Sequence, residues 1–218
     1  MTDEVALLDL WSSPYGMRVR ICLAEKGIKY EYINESLRPT KGDLLLKVNP
    51  VNKKIPVLIH NGKPISESLI IVQYIDEVWN AQSPSWLPAD PYQRATARFW
   101  GDYIDKKIYE HGKKVFITRG EEREKAKKEF VDILKVLEGE LGEKIYFGGD
   151  NLGFVDIALI PFYSWFHSFE TAGNFSIEKE CPKLIVWAKK CMENQSVSKT
   201  LPDPVETFEE LKTWYPIE

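Results

Sequence analysis

The sequence is short of the residues on which disulfide frameworks, metal sites and membrane spans depend. Its cysteines are few, odd in number and without a C-x-x-C pair: Cys22, Cys181 and Cys191. Its histidines are too scattered to predict a metal site: His60, His111 and His167. No segment approaches the roughly 18 apolar residues of a membrane span, and no secretory signal begins the chain. We therefore expect a cytoplasmic protein without a membrane anchor, a disulfide framework or a metal.

An excess of positive charge is also missing. The net charge is −4, which argues against a general surface for nucleic acid or acidic membrane. What the chain does have is a hydrophobic fraction of 44% and an aromatic fraction of 12%, enough for a substantial core. With 218 residues it can form one large domain or two small ones.

The first 80 residues alternate strand and helix patterns. Short apolar runs at 5–11, 29–33, 55–59 and 63–65 predict strands, and Asn61-Gly62 predicts a hairpin between the last two. Helices are predicted from Pro14, around Leu44 and from Ser66 onward. The order β-α-β-α-β-β-α indicates a small mixed sheet with helices packed against it.

Residues 81–89 contain two prolines and no periodicity, which predicts a linker. Residues 90–218 are helical in pattern throughout, so the fold class is α/β followed by all-α. Long helices are predicted at about 90–118 and 121–141, another at 182–193, and a short one in the tail. A helix at about 154–171 is apolar on nearly every side and belongs in a core, with Pro161 expected to bend it.

Ser13 follows the first strand and precedes the first helix, which begins Pro14-Tyr15-Gly16-Met17-Arg18. A hydroxyl at the positive end of a helix, beside unpaired backbone N–H groups, can bind an anion. Arg18 and Arg20 are close to Ser13 in sequence and could add positive charge to this site. The alternative is that Ser13 only caps the helix, since serine is a preferred capping residue.

Two more clusters in this part could bind a ligand. Pro56 opens a strand and is a candidate for a cis peptide bond, which would let Ile55 offer its backbone to an extended ligand. The alternative is an ordinary edge-strand proline. Glu67 and Ser68 stand at another helix start and could hold an ammonium and a carboxylate, or only cap the helix.

Together these residues fit one extended, peptide-like ligand. Its amino-acid head would lie at Glu67 and Ser68, its backbone would pair at Ile55, and its thiol would reach Ser13. A second carboxylate of the same ligand would reach two lysines, Lys41 and Lys54.

Several segments resemble the soluble glutathione transferases, and most closely the plant tau class. The matching segments are 13–20 (SPYGMRVR), 24–30 (AEKGIKY), 49–58 (NPVNKKIPVL), 61–68 (NGKPISES), 90–92 (DPY) and 147–156 (FGGDNLGFVD). They cover nearly the whole chain in order. The resemblance implies a thioredoxin-like N-terminal domain, an all-helical C-terminal domain and a homodimer.

By this resemblance, Ser13 donates a hydrogen bond to the glutathione thiolate. Glutathione is then a co-substrate, no other cofactor is implied, and the reaction is conjugation to apolar electrophiles. The remaining roles carried over are Lys41 and Lys54 for the glycine carboxylate, Ile55 ahead of a cis Pro56 for the cysteinyl backbone, and Glu67 and Ser68 for the γ-glutamyl end. Asp156 resembles the buried acid that starts the core helix of the family, but Gly153 replaces the usual hydroxyl residue three positions earlier.

The second substrate should be apolar, so aromatic residues are the candidates for its pocket, with core or interface packing as the alternative. They are Tyr15, Tyr109, Phe116, Trp165, Phe208 and Trp214. A thiol redox protein on the same fold is disfavoured, because Ser13 has no sulfur to form a mixed disulfide. A peroxidase of organic hydroperoxides and a non-catalytic carrier of apolar ligands remain as alternatives.

Overall fold

A computed structural model describes residues 3–37, 40–82 and 85–215. The chain divides into two compact units, Met1–Ser85 and Trp86–Glu218. The division falls within the 81–89 stretch, of which residues 83 and 84 lie outside the described part. No helix among the described residues is long and apolar enough to cross a membrane.

The first unit is built on a four-stranded mixed sheet. Its strands are β1 (Val5–Asp9), β2 (Glu31–Asn34), β3 (Val57–His60) and β4 (Lys63–Ser66), in the order β2-β1-β3-β4. β1 runs parallel to β2 and antiparallel to β3, and β3 and β4 form the hairpin predicted at Asn61-Gly62. Both hairpin residues have positive φ, 50° and 75°, which the Asn-Gly pair adopts readily.

Three helices accompany this sheet: α1 (Pro14–Glu25), α2 (Asp43–Val48) and α3 (Ser68–Val78). β1 ends at Asp9 rather than at residue 11, because the Ser13 N–H turns back to the Leu10 carbonyl at 2.9 Å. A buried ion pair of 3.0 Å between Lys26 and Asp76 joins the end of α1 to the end of α3. The mixed α/β architecture predicted for this part is confirmed.

The second unit is helical, as predicted. Its helices are α4 (Pro91–Ile117), α5 (Gly120–Leu141), α6 (Phe154–Leu159), α7 (Tyr163–Gly173), α8 (Ile177–Glu180), α9 (Pro182–Met192), α10 (Gln195–Ser198) and α11 (Pro204–Trp214). The short helices α8 and α10 were not predicted, since four residues are too few to show a helical period.

The helix predicted at about 154–171, with a bend at Pro161, is found as two α-helices joined at that proline. The segment consists of α6, a 3₁₀ turn at Ile160–Phe162 and α7. Pro161 has no N–H to donate and its ring crowds the preceding turn, so the α-helical hydrogen bonds are interrupted there. The segment is nevertheless core, as predicted, because all of α6 and the 3₁₀ turn are buried.

Asp156 begins α6 and is completely buried. Its carboxylate accepts hydrogen bonds from three backbone N–H groups and from the Trp187 indole, at 2.7–2.9 Å. One of the three backbone donors is the Gly153 N–H, and its bond to the Asp156 carboxylate is the acidic half of a capping box. Gly153 has no side chain to supply the other half.

Candidate functional site

Ser13 is the N-cap of α1. Its backbone is extended, with φ −74° and ψ 119°, and its Oγ accepts a hydrogen bond from the Gly16 N–H at 3.4 Å. The residue is 6% exposed. Because the oxygen accepts this bond, the hydroxyl hydrogen remains to donate to an anion at the start of the helix. Capping and anion binding are therefore compatible at Ser13.

Arg20 holds the turn that carries Ser13. Its Nη2 donates to the Trp11 carbonyl at 2.5 Å, and its Nε lies 3.2 Å from Asp9 Oδ2. Burial raises the pKa of Asp9 to about 7 against the opposing attraction of Arg20. The Leu10 amide is near enough to lower this pKa slightly, but it makes no hydrogen bond of good geometry to the carboxylate.

The loop before β3 contains the second cluster. The Ile55–Pro56 peptide bond is cis, and Ile55 packs against the buried cluster of Leu8, Leu45 and Val57. Lys41 donates to the Lys53 carbonyl at 2.7 Å.

Asn49 shapes the same loop from within. Its Nδ2 donates to the Lys54 carbonyl at 2.9 Å, and its Oδ1 accepts the Asn52 N–H at 3.2 Å. Lys53 has a positive φ of 53°, unusual for a residue with a side chain. The loop therefore brings both predicted lysines to one segment, with Lys54 itself exposed.

Glu67 and Ser68 stand at the start of α3. Glu67 has φ 71° and accepts a 2.6 Å hydrogen bond from Asn52 Nδ2. The start of α3 has no side-chain cap, so the capping alternative for this pair is wrong. The Ser68 Oγ instead accepts from Arg18 Nη1 at 3.0 Å, which again leaves a hydroxyl hydrogen to donate.

Arg18, which is close to Ser13 in sequence, is the donor to Ser68 at the start of α3. Its side chain is completely buried, bonds Ser68 and lies 5.0 Å from the centre of the Tyr15 ring. The structure thus links the α1 start to the α3 start through Arg18, and the α3 start to the 49–54 loop through Asn52.

The candidate aromatic residues of the second unit form one group. Trp165 lies 5.8 Å from Tyr109 and 6.1 Å from Trp214, between ring centres, and Phe116 lies 6.1 Å from Phe208. Tyr215, which sequence reasoning missed, joins the two halves. Its hydroxyl is 2.7 Å from that of Tyr109, and its ring is 6.1 Å from Phe116.

Exposure separates these aromatic residues. Phe116 and Trp165 are each 2% exposed, so packing accounts for most of their surface. Tyr109, Phe208 and Trp214 are half-buried, as is Tyr15 in the first unit. The half-buried rings are the ones with surface left for a ligand.

The three cysteines are buried free thiols. Burial raises the pKa of Cys22 well above its usual value and that of Cys181 to about 12. A buried, protonated thiol is a poor nucleophile, so the cysteines do not support redox chemistry. Cys22 lies on α1 and is completely buried. Within the described parts of the chain, no group of acidic, histidine and cysteine side chains could hold a metal ion.

Sequence reasoning missed three partners of the candidate site: Asn52 with Glu67, Arg18 with Ser68, and Arg20 with Asp9. Each of the first two pairs joins residues distant in sequence, which no local spacing could reveal. The third had a weak signal, because Asp9 is a charged residue at the end of an otherwise apolar strand.

Two family models match the chain. The glutathione S-transferase N-terminal domain matches residues 3–77, and the glutathione S-transferase C-terminal domain matches residues 91–195. Among named relatives, the probable glutathione S-transferase parC of Nicotiana tabacum is 63% identical over 96% of this chain and 95% of its own length. Glutathione S-transferase U19 of Arabidopsis thaliana is 60% identical over 96% and 94%.

Solved structures agree with these relatives. A crystal structure of rice GST1 in complex with glutathione superimposes with a TM-score of 0.92 and 47% identity, covering 97% of both chains. A tau class glutathione S-transferase from mango, Mangifera indica, has a TM-score of 0.91 and 42% identity, covering 96% of this chain and 98% of its own.

Proposed function

The chain belongs to the glutathione S-transferase family, in its plant tau class, and we propose that Ser13 stabilises the thiolate of bound glutathione for attack on apolar electrophiles. The observation that carries this proposal is the geometry of the Ser13 hydroxyl. It accepts from the Gly16 N–H at the start of α1, so its own hydrogen can donate outward. Conjugation by a glutathione transferase requires this thiolate, because the thiol itself is a weak nucleophile.

The energy required is within reach of these groups. A free thiol has a pKa near 8.5, about two units too high for the thiolate to be the main form at neutral pH. Lowering it by two units needs about 2.7 kcal/mol of preference for the thiolate. One charge-assisted hydrogen bond contributes roughly 1.5–3 kcal/mol, and a helix N-terminus adds roughly 0.3–1 kcal/mol. Ser13 and α1 can supply the shift without a general base.

The rest of glutathione would bind along the first unit. Ser68, with its oxygen held by Arg18, donates to the γ-glutamyl carboxylate, and Glu67 accepts from the ammonium. Ile55 pairs with the cysteinyl backbone. The glycine carboxylate would bind Lys41, whose Nζ donates to the Lys53 carbonyl, and the adjacent Lys54.

The electrophile would contact aromatic surface. In the second unit the half-buried rings are Tyr109, Phe208 and Trp214, and in the first unit Tyr15 directly follows the Ser13 turn. Phe116 and Trp165 support the second-unit group from within. We assign the protein to the cytoplasm, because its three cysteines are free thiols. We also propose that it forms a homodimer, since apolar residues such as Ile70 on α3 are exposed.

The test is turnover of a chloro-nitro-aromatic electrophile with glutathione by wild type, Ser13→Ala and Ser13→Thr. Ser13→Ala should lose most of the activity at neutral pH and raise the pH at which bound glutathione ionises, followed by thiolate absorbance. Its glutathione affinity should change little, because the other contacts remain. Ser13→Thr keeps the hydroxyl and should retain part of the activity.

An unchanged ionisation of bound glutathione in Ser13→Ala would show that Ser13 is not the thiolate donor. If the wild type bound apolar ligands but did not turn over the electrophile, a non-catalytic carrier would be favoured instead.

A further inference from the structure

We propose that Arg20 and Asp9 are positioning residues that brace the turn carrying Ser13, and so control how much of the bound glutathione is ionised. The inference rests on the proposed role of Ser13 as the thiolate donor. Neither side chain needs to touch glutathione, because both act on the backbone around the Ser13 hydroxyl.

Arg20 holds the first side of the turn. Its Nη2 donates to the Trp11 carbonyl at 2.5 Å, two residues before Ser13. The Ser13 N–H donates to the Leu10 carbonyl at 2.9 Å. Two consecutive carbonyls of the turn are thus occupied, one by the guanidinium and one by the amide of Ser13 itself.

Asp9 holds the second side. Its carboxylate packs directly against Gly16, where an added Cβ would lie 1.7 Å from Asp9 Oδ1. The Gly16 N–H is the donor that orients the Ser13 Oγ. Asp9 therefore restrains the residue that fixes the hydroxyl, while Arg20, 3.2 Å from Asp9 Oδ2, ties that carboxylate to the turn.

The charges of the pair favour action through position rather than through the field. The Arg20 side chain is 15% exposed and that of Asp9 is fully buried, so the two opposite charges lie close together with little water between them. The other groups that act on Asp9 or are acted on by it are the hydroxyls of Tyr30 and Tyr32. Above the Asp9 pKa of about 7 the pair is compensated and changes a nearby thiolate little by Coulomb attraction. Below it Asp9 is mostly neutral, and Arg20→Lys tests position there because it keeps the positive charge.

The main test is Arg20→Lys, which keeps the charge but loses the fork that grips Asp9 and Trp11 together. We expect the ionisation of bound glutathione to move up by about one pH unit, so that kcat/KM falls about tenfold at acidic pH. At alkaline pH, where the thiol ionises without help, kcat/KM should approach that of the wild type. A role in stability alone would lower kcat/KM by the same factor at every pH.

The chain offers a matched control. Arg94 also braces the carbonyls before a helix, those of Pro88 and Ala89, but in the second unit at the start of α4. Arg94→Lys should leave the thiolate titration unchanged. An equal shift in Arg94→Lys and Arg20→Lys would overturn the proposal.

Asp9→Ala is the second variant. An effect through charge and an effect through position predict opposite shifts in the pH at which bound glutathione ionises. Above pH 7, where Asp9 is mostly ionised, removing its negative charge makes a nearby thiolate easier to form by Coulomb's law. Loss of the brace predicts the opposite, a thiol that ionises at higher pH. Easier ionisation in Asp9→Ala would overturn the proposal even if Arg20→Lys failed to fold.

Ser13→Ala and the double variant Ser13→Ala/Arg20→Lys distinguish the two proposals. If Ser13→Ala itself leaves the titration unchanged, the proposed function of Ser13 fails and the brace with it. If Ser13→Ala shifts the titration but Arg20→Lys does not, only the brace is overturned. The double variant should match Ser13→Ala, because the brace acts through the hydroxyl. A further shift in the double variant would contradict this route.

Discussion

Two buried aspartates, one in each unit, stand beside a helix start and a glycine, yet they are held in very different ways. Asp156 at the start of α6 receives four N–H hydrogen bonds, from Phe147, Gly148, Gly153 and Trp187. Asp9 before α1 has one ion pair with Arg20, and no described residue makes a hydrogen bond of good geometry to its oxygens. Both side chains are fully buried.

The difference agrees with a structural role for Asp156 and with the positioning role that we propose for Asp9. At Asp156 the hydrogen bonds offset the cost of burying a charge, although burial still raises its pKa. At Asp9 burial prevails over Arg20 and the pKa is about 7. A carboxylate whose acceptor sites are all hydrogen-bonded holds chain segments together. A buried carboxylate with few partners and a shifted pKa, such as Asp9 beside the Ser13 turn, is typical of a functional site.

The largest effect is expected from Asp156→Ala. It leaves three backbone N–H groups and one indole N–H without their acceptor, and the two buried ones, of Gly153 and Trp187, each cost about 1–3 kcal/mol. We expect the free energy of unfolding to fall by about 4 kcal/mol or more, measured by denaturant titration. The second unit should melt or aggregate well below the wild-type temperature.

Asp156→Asn sharpens this result. Each carboxylate oxygen accepts two donors, so the amide NH₂ must face two N–H groups whichever way it is turned. We therefore expect a loss nearly as large as for Asp156→Ala. A stable Asp156→Asn would contradict the view that saturation with donors makes this residue structural.

Asp9→Asn, unlike Asp156→Asn, should gain stability relative to the wild type, by an amount that depends on pH. The folded-state pKa of about 7 lies above the ordinary value of 3.8, so the folded protein holds the proton more tightly. The contribution of Asp9 to wild-type stability therefore declines as pH rises from about 4 to 7, by up to about 1.4 kcal/mol per unit. Asp9→Asn lacks this decline, so its stability should gain on the wild type across that window and level off above it.

Chemical denaturation at several pH values measures this difference. Thr96→Ala, a change without a titrating group, gives the baseline for the pH dependence of the whole protein. If Asp9→Asn lost stability relative to the wild type as pH rose, folding would stabilise the Asp9 carboxylate, contrary to the raised pKa of this group.

The same contrast explains what could be predicted from the sequence. Asp156 was identified by resemblance, because it lies in the segment FGGDNLGFVD, whose spacing is local. Its partner Gly153 lies in the same segment. The structure keeps the half of the capping box in which the Gly153 N–H donates to Asp156, since this bond needs no side chain on Gly153. Asp9 was not identified, because its contacts with Gly16 and Arg20 depend on how strand and helix pack.

The candidate site divides in the same way. Ser13, Glu67 and Ser68 could be found because helix starts are visible in sequence. Their partners could not, since Arg18 reaches Ser68 across 50 positions and Asn52 reaches Glu67 across 15. Arg18 is a charged residue among apolar neighbours in α1, and only the fold shows that its burial is balanced by Ser68 and the Tyr15 ring.

The smallest of these effects is expected from Trp187→Phe, which removes one of the four donors to Asp156. The buried indole bond of 2.7 Å goes to a carboxylate, and such bonds contribute roughly 1.5–3 kcal/mol. A phenyl ring can keep the edge contact with Phe147, now 5.5 Å between ring centres. Thermal and denaturant unfolding should therefore show a loss of about 2 kcal/mol with the fold retained.

Trp214→Phe is the matched control for this change. Its indole also donates to a carboxylate, that of Glu210 at 3.1 Å, but within one helix and partly exposed to water. The loss there should be below about 1 kcal/mol, as for other exposed pairs. Equal losses in the two variants would mean that the Trp187 bond gains nothing from burial. The four donors around Asp156 would then count for no more than surface contacts, and the distinction from Asp9 would have to rest on pH dependence alone.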